Sequence, residues 1–399
     1  MNKRVQSFVL NTVGAIPGVK KVSDKYLTRY ICDRFSAKYM QKETVKRIEQ
    51  GEEDKKTAVD AFLAKNPKSF RSERKMVERI LAQSPVCKHK SEEEKQQMAT
   101  EMLFYAVAYG YLPEEYLCFD FEGHSVNENK RFVSNWERCI AVYQMNNIFD
   151  MEIFNDKAKT YEKFKKYFKR EAVSINKSSD KPKFMSFVKK HPVFVKKNVY
   201  ESLGRSIELM DINACGCKKE ELFEKLIKES PVILEEQVFQ SSQMSVWNAS
   251  SVNTVRCIAF RTSHGIITPF FFMKTGRSGA FVDNAGAGGI VIGVNAKTGV
   301  LCTNGYDELN NCYPEHPDSG IRFNGFQLPD WEGLIKLCNE ISSQISTVQY
   351  IGWDLAHTDD GWVVIEGNCR SQMIIPQIVF KKGIKAELKQ IMKDMVLIK

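Results

Sequence analysis

The stretch "DLAHTDDGWVVIEGN", residues 354–368, restricts what this chain can fold into more than any other. Two runs suited to strands flank a turn of Asp and Gly, and Asp354, Glu366 and Asn368 stand among Trp362, Val364 and Ile365. Successive strand residues face opposite sides. Trp362, Val364, Glu366 and Asn368 therefore share a face, and Asp354 shares its face with Tyr350, Gly352 and Ala356. A three-residue loop of Asp359, Asp360 and a left-handed Gly361 pairs 358 with 362 and sets Asp354 opposite Glu366. Two facing carboxylates on a half-apolar surface repel each other and lose solvation, at a cost of several kcal/mol. A hard divalent cation removes that conflict, and the Asn368 amide oxygen completes a set of oxygen ligands. The competing readings are a solvated polar face, or a loop of two or four residues that separates the acids.

A chain of 399 residues is too long for one small core, so two or three domains are expected. Its 43% hydrophobic and 11% aromatic content suits a globular protein and excludes a disordered one. The net charge of +9 fits nucleic acid, a membrane surface or small anionic ligands. Much of the excess sits in "KFKKYFKR" (163–170) and "KKGIK" (381–385), which read as solvated helix faces. Aromatics do not interleave with these lysines as stacking platforms would, which argues against nucleic acid. The 11 cysteines lack zinc spacing; Cys215 and Cys217 in "ACGC" have no second pair at a usable distance. An odd count without a secretory leader points to free thiols and a cytoplasmic protein. The start, "MNKRVQSFVLNTVGAIPGV", reads as an amphipathic helix ended by Pro17. No apolar run reaches the roughly 20 residues of a membrane span, which leaves only peripheral membrane association open.

Residues 1–150 read as mainly helical, with apolar residues at three and four spacing such as Met76, Ile80 and Leu81. "KSEEEKQQMATEMLFYAVAYGYLPEEY" (90–116) reads as a helix stopped near Gly110 and Pro113, and Asp156 to Lys169 as another. After about residue 190 short strand-like runs predominate: "VFVKK", "IELMDI", "VILEEQV", "TVRCIAF", "GIITPFFFM", "GGIVIGV" and "GVLCT". Helical spacing returns in "ELFEKLIKES" (221–230) and "DWEGLIKLCNEISSQI" (330–345). The fold class expected is α+β: a helical region over 1–150, a first β-rich lobe over 151–235 and a second over 236–399.

Several stretches carry chemistry. A strand lysine in "FVKK" (194–197) offers a fixed charge to a polyphosphate, with Lys196 the better placed, although an edge lysine has the same sequence. Ser202, Gly204 and Ser206 in "ESLGRS" let backbone amides approach phosphate; a plain hairpin turn is the alternative. Glu235 and Glu236 follow an apolar run, so one points inward, to be satisfied by a ribose hydroxyl or by a lysine elsewhere. Arg256, alternating with Asn253 and Thr254, supplies donors for a transferring phosphoryl group or forms a structural ion pair. "VDNAGAGGI" (282–290) sets Asp283 and Asn284 before Gly286, Gly288 and Gly289, a backbone-rich loop suited to an anion or acyl group, or a turn. Lys274 and Arg277 precede that loop and suit an acidic substrate.

The order of these motifs resembles the ATP-grasp superfamily, and within it the sugar-transfer-associated branch. The likeness covers residues 190–377 well, and "YGYLPEEYLCFDF" (109–121) and "FNDKAKTYEKF" (154–164) extend it weakly. The phosphate-covering loop departs from the pattern, with one glycine where several are common, and Arg370 stands where small or proline-rich sequence is more usual. The resemblance implies an ATP-grasp fold of two lobes clasping ATP, and ATP with Mg2+ (or Mn2+) as cofactors. It implies nucleotide contacts at Lys196, Ser202, Gly204, Glu235, Glu236, Val238 and Asn253, and metal ligation by Asp354, Glu366 and Asn368. Substrate contacts fall on Lys274, Arg277, Asp283, Asn284, Gly288 and Gly289, with Arg256, Arg277 and Lys196 aiding catalysis. The implied reaction is ATP-dependent amide formation between a small carboxylate and an amine, through an acylphosphate. One partner would be a sugar or an amino acid, the product joining an amino acid to a sugar acid or amino sugar of a surface polysaccharide. A small-molecule kinase and a nucleotide-binding scaffold are the alternatives.

Overall fold

Alternation of apolar and polar residues after residue 170 becomes two antiparallel sheets. The computed structural model describes residues 19–36, 39–200, 207–214, 216, 218–229, 231–283, 286 and 288–395. The expected helix before Pro17, the "ESLGRS" loop with Ser202 and Gly204, Cys215, Cys217 and Asn284 lie outside these residues. The smaller sheet holds β1 (Ala172–Ile175), β2 (Val193–Asn198), β3 (Glu208–Asp211) and β4 (Val232–Glu236), in the order β1-β4-β2-β3. Helices Lys181–Lys190 and Lys219–Glu229 close its core over Phe184, Phe187, Phe194, Phe223 and Leu234.

The larger sheet holds β5 (Thr254–Thr262), β6 (Gly265–Thr275), β7 (Ile290–Val294) and β8 (Leu301–Tyr306), then β9 (Cys312–Tyr313), β10 (Tyr350–Thr358) and β11 (Gly361–Asn368). Its order is β11-β10-β5-β6-β7-β8-β9, so the last hairpin folds back onto β5. The amphipathic helix Trp331–Ser343 seals its core through Trp331, Leu334, Cys338 and Ile341.

Between residues 19 and 168 the described elements are all helices. The expected helix over 90–116 spans Glu92–Tyr109, opened by a Ser91–Glu94 capping box. It ends at Gly110 (φ 71°), where a Cβ would lie 2.3 Å from Trp136 Cβ, so only glycine fits. This region has an aromatic core of its own around Phe70, Phe104, Tyr105, Tyr111 and Phe121, which Ile378 joins from the far end of the chain. Gln377 clasps the Val133 backbone from both sides, accepting from its N–H at 2.7 Å and donating to its carbonyl at 3.1 Å.

The hairpin keeps the expected pairing by another route. Its loop has two residues, Asp359 and Asp360, because Thr358 pairs with Gly361. That register alone would slide Asp354 past Glu366. A bulge corrects it: Leu355 pairs with Val364, Asp354 pairs with Glu366, and Ile365 is the extra residue.

Candidate active site

A cavity of about 330 Å³ opens between the two sheets, lined by Lys197 and Glu235 from the smaller and by Lys274, Asp354 and Glu366 from the larger. Glu236, Val238, Phe239, Thr254 and Asp283 also reach it.

The strand lysines are exchanged relative to expectation. Lys196 is buried on the face that carries Phe194, its Nζ 2.6 Å from Glu229 and 3.0 Å from Glu208, and does not line the cavity. Val195 and Lys197 line it instead. The two lysines do point to opposite faces, and it is Lys197 that faces the cavity. Phe194 held the signal, since the large aromatic belongs under the two helices and carries Lys196 with it.

Glu235 is the inward member of its pair, and Glu236 accepts from the Glu171 amide at 3.0 Å. No ribose is needed to satisfy Glu235. Its Oε2 accepts from Arg170 Nε at 2.9 Å, Arg170 Nη2 at 2.6 Å and Lys197 Nζ at 2.9 Å. Burial alone would raise its pKa, but the charges of Arg170 and Lys197 outweigh that and hold it at about 2.

Asp354 has a matching grip. Arg256 donates from Nε to Oδ1 at 2.5 Å and from Nη2 to Oδ2 at 2.6 Å, while Lys274 Nζ lies 3.1 Å from Oδ1. Burial again works upward, and Arg256 and Lys274 pull the carboxyl down to about 2. The repulsion between Asp354 and Glu366 is therefore relieved by protein cations, which corrects the inference that the pairing demands a metal. Arg256 itself does not line the cavity; its remaining bond goes to Ser371 Oγ at 2.9 Å. Gly352 makes room for that arrangement, since a Cβ there would lie 2.3 Å from Ser371 Oγ. Lys274 also faces Asp283 at 3.6 Å, and Asp283 accepts from the Thr254 amide at 3.1 Å. Burial pushes the Asp283 carboxyl up, against the pull of Lys274.

Other expected site residues are engaged elsewhere. The Asn253 side chain is buried and spent on its own loop, donating to Gln240 Oε1, Met244 O and Asn248 O. Arg277 donates to Gly288 O at 2.7 Å and Tyr313 Oη at 2.5 Å and pairs with Asp307 at 3.2 Å, holding the glycine loop from outside the cavity. Gly288 takes φ 89°, and neither it nor Gly289 lines the cavity. Asn368 does not line it either; its Oδ1 accepts from the Arg370 amide at 3.1 Å. His316, in the loop that follows β9, is fully buried and bonded to Gly276 O. Arg170 was missed because it ends a basic run whose lysines 163, 165, 166 and 169 are indeed exposed.

Among the described residues no group of three or more His, Cys, Asp and Glu side chains could hold a metal by itself. Glu366 lines the cavity without a hydrogen bond to any described residue, and Asp354 Oδ2 accepts one bond where a carboxylate oxygen has room for about two. That donor set fits magnesium, which uses one or two carboxylates together with substrate phosphates.

A family model described as sugar-transfer associated ATP-grasp matches residues 142–393, more than half of the chain. The chain belongs to that family. Its α+β architecture is an ATP-grasp fold with a helical N-terminal region. Curated proteins offer no match. Among solved structures, N5-carboxyaminoimidazole synthetase from Staphylococcus aureus, complexed with ADP, is 12% identical at a TM-score of 0.35, over 58% of this chain and 48% of that one. An L-amino acid ligase from Bacillus licheniformis is 12% identical at a TM-score of 0.35, over 58% and 44%. The VanG D-Ala:D-Ser ligase from Enterococcus faecalis is 12% identical at a TM-score of 0.39, over 62% and 63%. The chain thus spans about half the length of the first two of these proteins. Among the described residues no helix is long and apolar enough to cross a membrane.

Proposed function

We propose that this ATP-grasp protein is an ATP-dependent carboxylate–amine ligase that forms an amide through an acylphosphate. The observation that carries the reading is the meeting of Lys197, Lys274, Asp354 and Glu366 in one cavity beside the β4 strand end. Lys197 faces the polyphosphate, in place of Lys196. The backbone at Glu236–Val238 and the ring of Phe239, 73% exposed at the cavity, receive the base. Asp354 and Glu366 would hold magnesium from the cavity wall, and Asn368, whose Oδ1 is bonded to the Arg370 amide outside the cavity, would not. Magnesium, when bound, neutralises charge on the phosphate oxygens.

The substrate carboxylate attacks the γ-phosphorus, the bond to the ADP oxygen breaks, and an acylphosphate and ADP result. The amine nitrogen then attacks the acyl carbon, phosphate leaves, and the amine loses a proton. Lys274 lies between Asp354 and Asp283 and draws off charge from the transferring group. Arg256 acts through Asp354, fixing both of its oxygens. The family's association with sugar transfer supports an amino acid joined to a sugar acid or amino sugar of a surface polysaccharide. A cytoplasmic location accords with ATP as cosubstrate.

Hydroxylamine tests the reading. With MgATP and a panel of uronic acids and amino acids, the protein should release ADP and yield a hydroxamate. A stable phosphate ester in place of hydroxamate would make it a kinase, and nucleotide binding without turnover on any acid would make it a scaffold.

A further inference from the structure

Arg170 is buried although it closes a run of exposed lysines. Lys169, at φ 48°, ends the helix Lys157–Phe168 in the left-handed conformation just before it. The guanidinium then bonds in two directions. Toward the smaller sheet it holds Glu235 Oε2, the same oxygen that Lys197 holds. Toward the larger sheet, Nη1 donates to Val364 O at 2.6 Å and Nη2 to Ile365 O at 3.3 Å. Those carbonyls flank the bulge that sets Asp354 opposite Glu366.

We infer that Arg170 is a positioning residue for nucleotide binding, which neutralises Glu235 so that Lys197 keeps a charge for phosphate, and which clamps the Ile365 bulge. The inference rests on the nucleotide reading of the cavity. Two cations on one carboxylate leave one positive charge over. Without Arg170, Glu235 and Lys197 cancel each other and the polyphosphate meets a neutral pair. Removing the Glu235 charge as well frees Lys197 again, although the bulge carbonyls stay unclamped.

The test compares Arg170→Lys, Arg170→Met and the double variant Arg170→Met/Glu235→Gln in the full chain. Dissociation constants for MgATP and MgADP are measured by calorimetry, and thermal melts check folding. Arg170→Met should bind about tenfold more weakly or worse, as for a lost charged hydrogen bond. Arg170→Lys should stay within a few fold of wild type. The double variant should recover most of the loss, which a merely structural arginine would not allow. A folded Arg170→Met that binds like wild type, or a double variant that binds no better than Arg170→Met, overturns the inference alone. If Arg170→Met does not fold, the double variant decides, and binding more than tenfold below wild type overturns it. A wild type that binds neither nucleotide overturns the reading of the cavity and this inference with it.

Discussion

Glu235 on β4 and Asp354 on β10 are both buried carboxylates gripped by one arginine and one lysine, Arg170 with Lys197 and Arg256 with Lys274. Their surroundings differ. All three donors on Glu235 crowd one oxygen, and its neighbour Glu236 turns away toward the Glu171 amide. Asp354 is held on both oxygens, faces Glu366 across the hairpin and shares Lys274 with Asp283. Around Glu235 itself two cations thus meet one carboxylate, and around Asp354 two cations meet three. On the nucleotide reading proposed above, the positive cluster on Glu235 forms a wall for phosphate and the negative cluster around Asp354 a wall for a cation. The same residue types make opposite sites because charge balance depends on the neighbours each sheet supplies.

The largest expected effect breaks the negative wall. Asp354→Asn and Glu366→Gln should each abolish measurable ADP formation, but only the first should lower the melting temperature strongly. Leaving Arg256 and Lys274 without Asp354 breaks a buried pair, which costs about 3–5 kcal/mol. The Glu366 side chain makes no hydrogen bond to any described residue, so its amide should melt within about 0.5 kcal/mol of wild type. Full turnover in Glu366→Gln would show that the hairpin carboxylates are structural.

The positive wall is tested next. Lys197→Ala should raise the ATP concentration for half-maximal ADP release about tenfold or more, the scale of a lost charged hydrogen bond. Lys196→Ala should leave it nearly unchanged, because its partners Glu208 and Glu229 lie on the other face. The reverse outcome would move the nucleotide out of this cavity.

Acid sharpens the likeness between the two carboxylates. Both fall to about 2 from ordinary values of 4.5 and 3.8, so the folded protein binds fewer protons than the unfolded chain in that range. Their stabilisation is complete above about pH 5 and is lost as pH falls toward 2. Urea melts at pH 5, 4 and 3 should show falling stability, with a shallower fall in Glu235→Gln. A slope unchanged by that substitution would remove Glu235 from the account.

The smallest effect lies outside the cavity. Arg277→Ala should change the apparent KM of the acid substrate by only a few fold, since Arg277 braces Gly288 O and Asp307 without lining the cavity. A hundredfold loss of kcat would return it to the catalytic machinery.

The sequence by itself determined the elements and their local partners. Gly110 stops a helix because its backbone is left-handed, strands follow from apolar alternation, and an acid after "VIL" has to point inward. The pairing of Asp354 with Glu366 was legible too, although the loop length behind it was not. Tertiary structure alone decided which face of β2 meets the cavity and what neutralises each buried acid. Alternation fixes that Lys196 and Lys197 diverge, but the side is chosen by where two helices bury Phe194. Arg170 and Glu235 are 65 residues apart, and Arg256 and Asp354 are 98 apart. Coulomb interactions depend on separation in space, and separation along the chain does not report it.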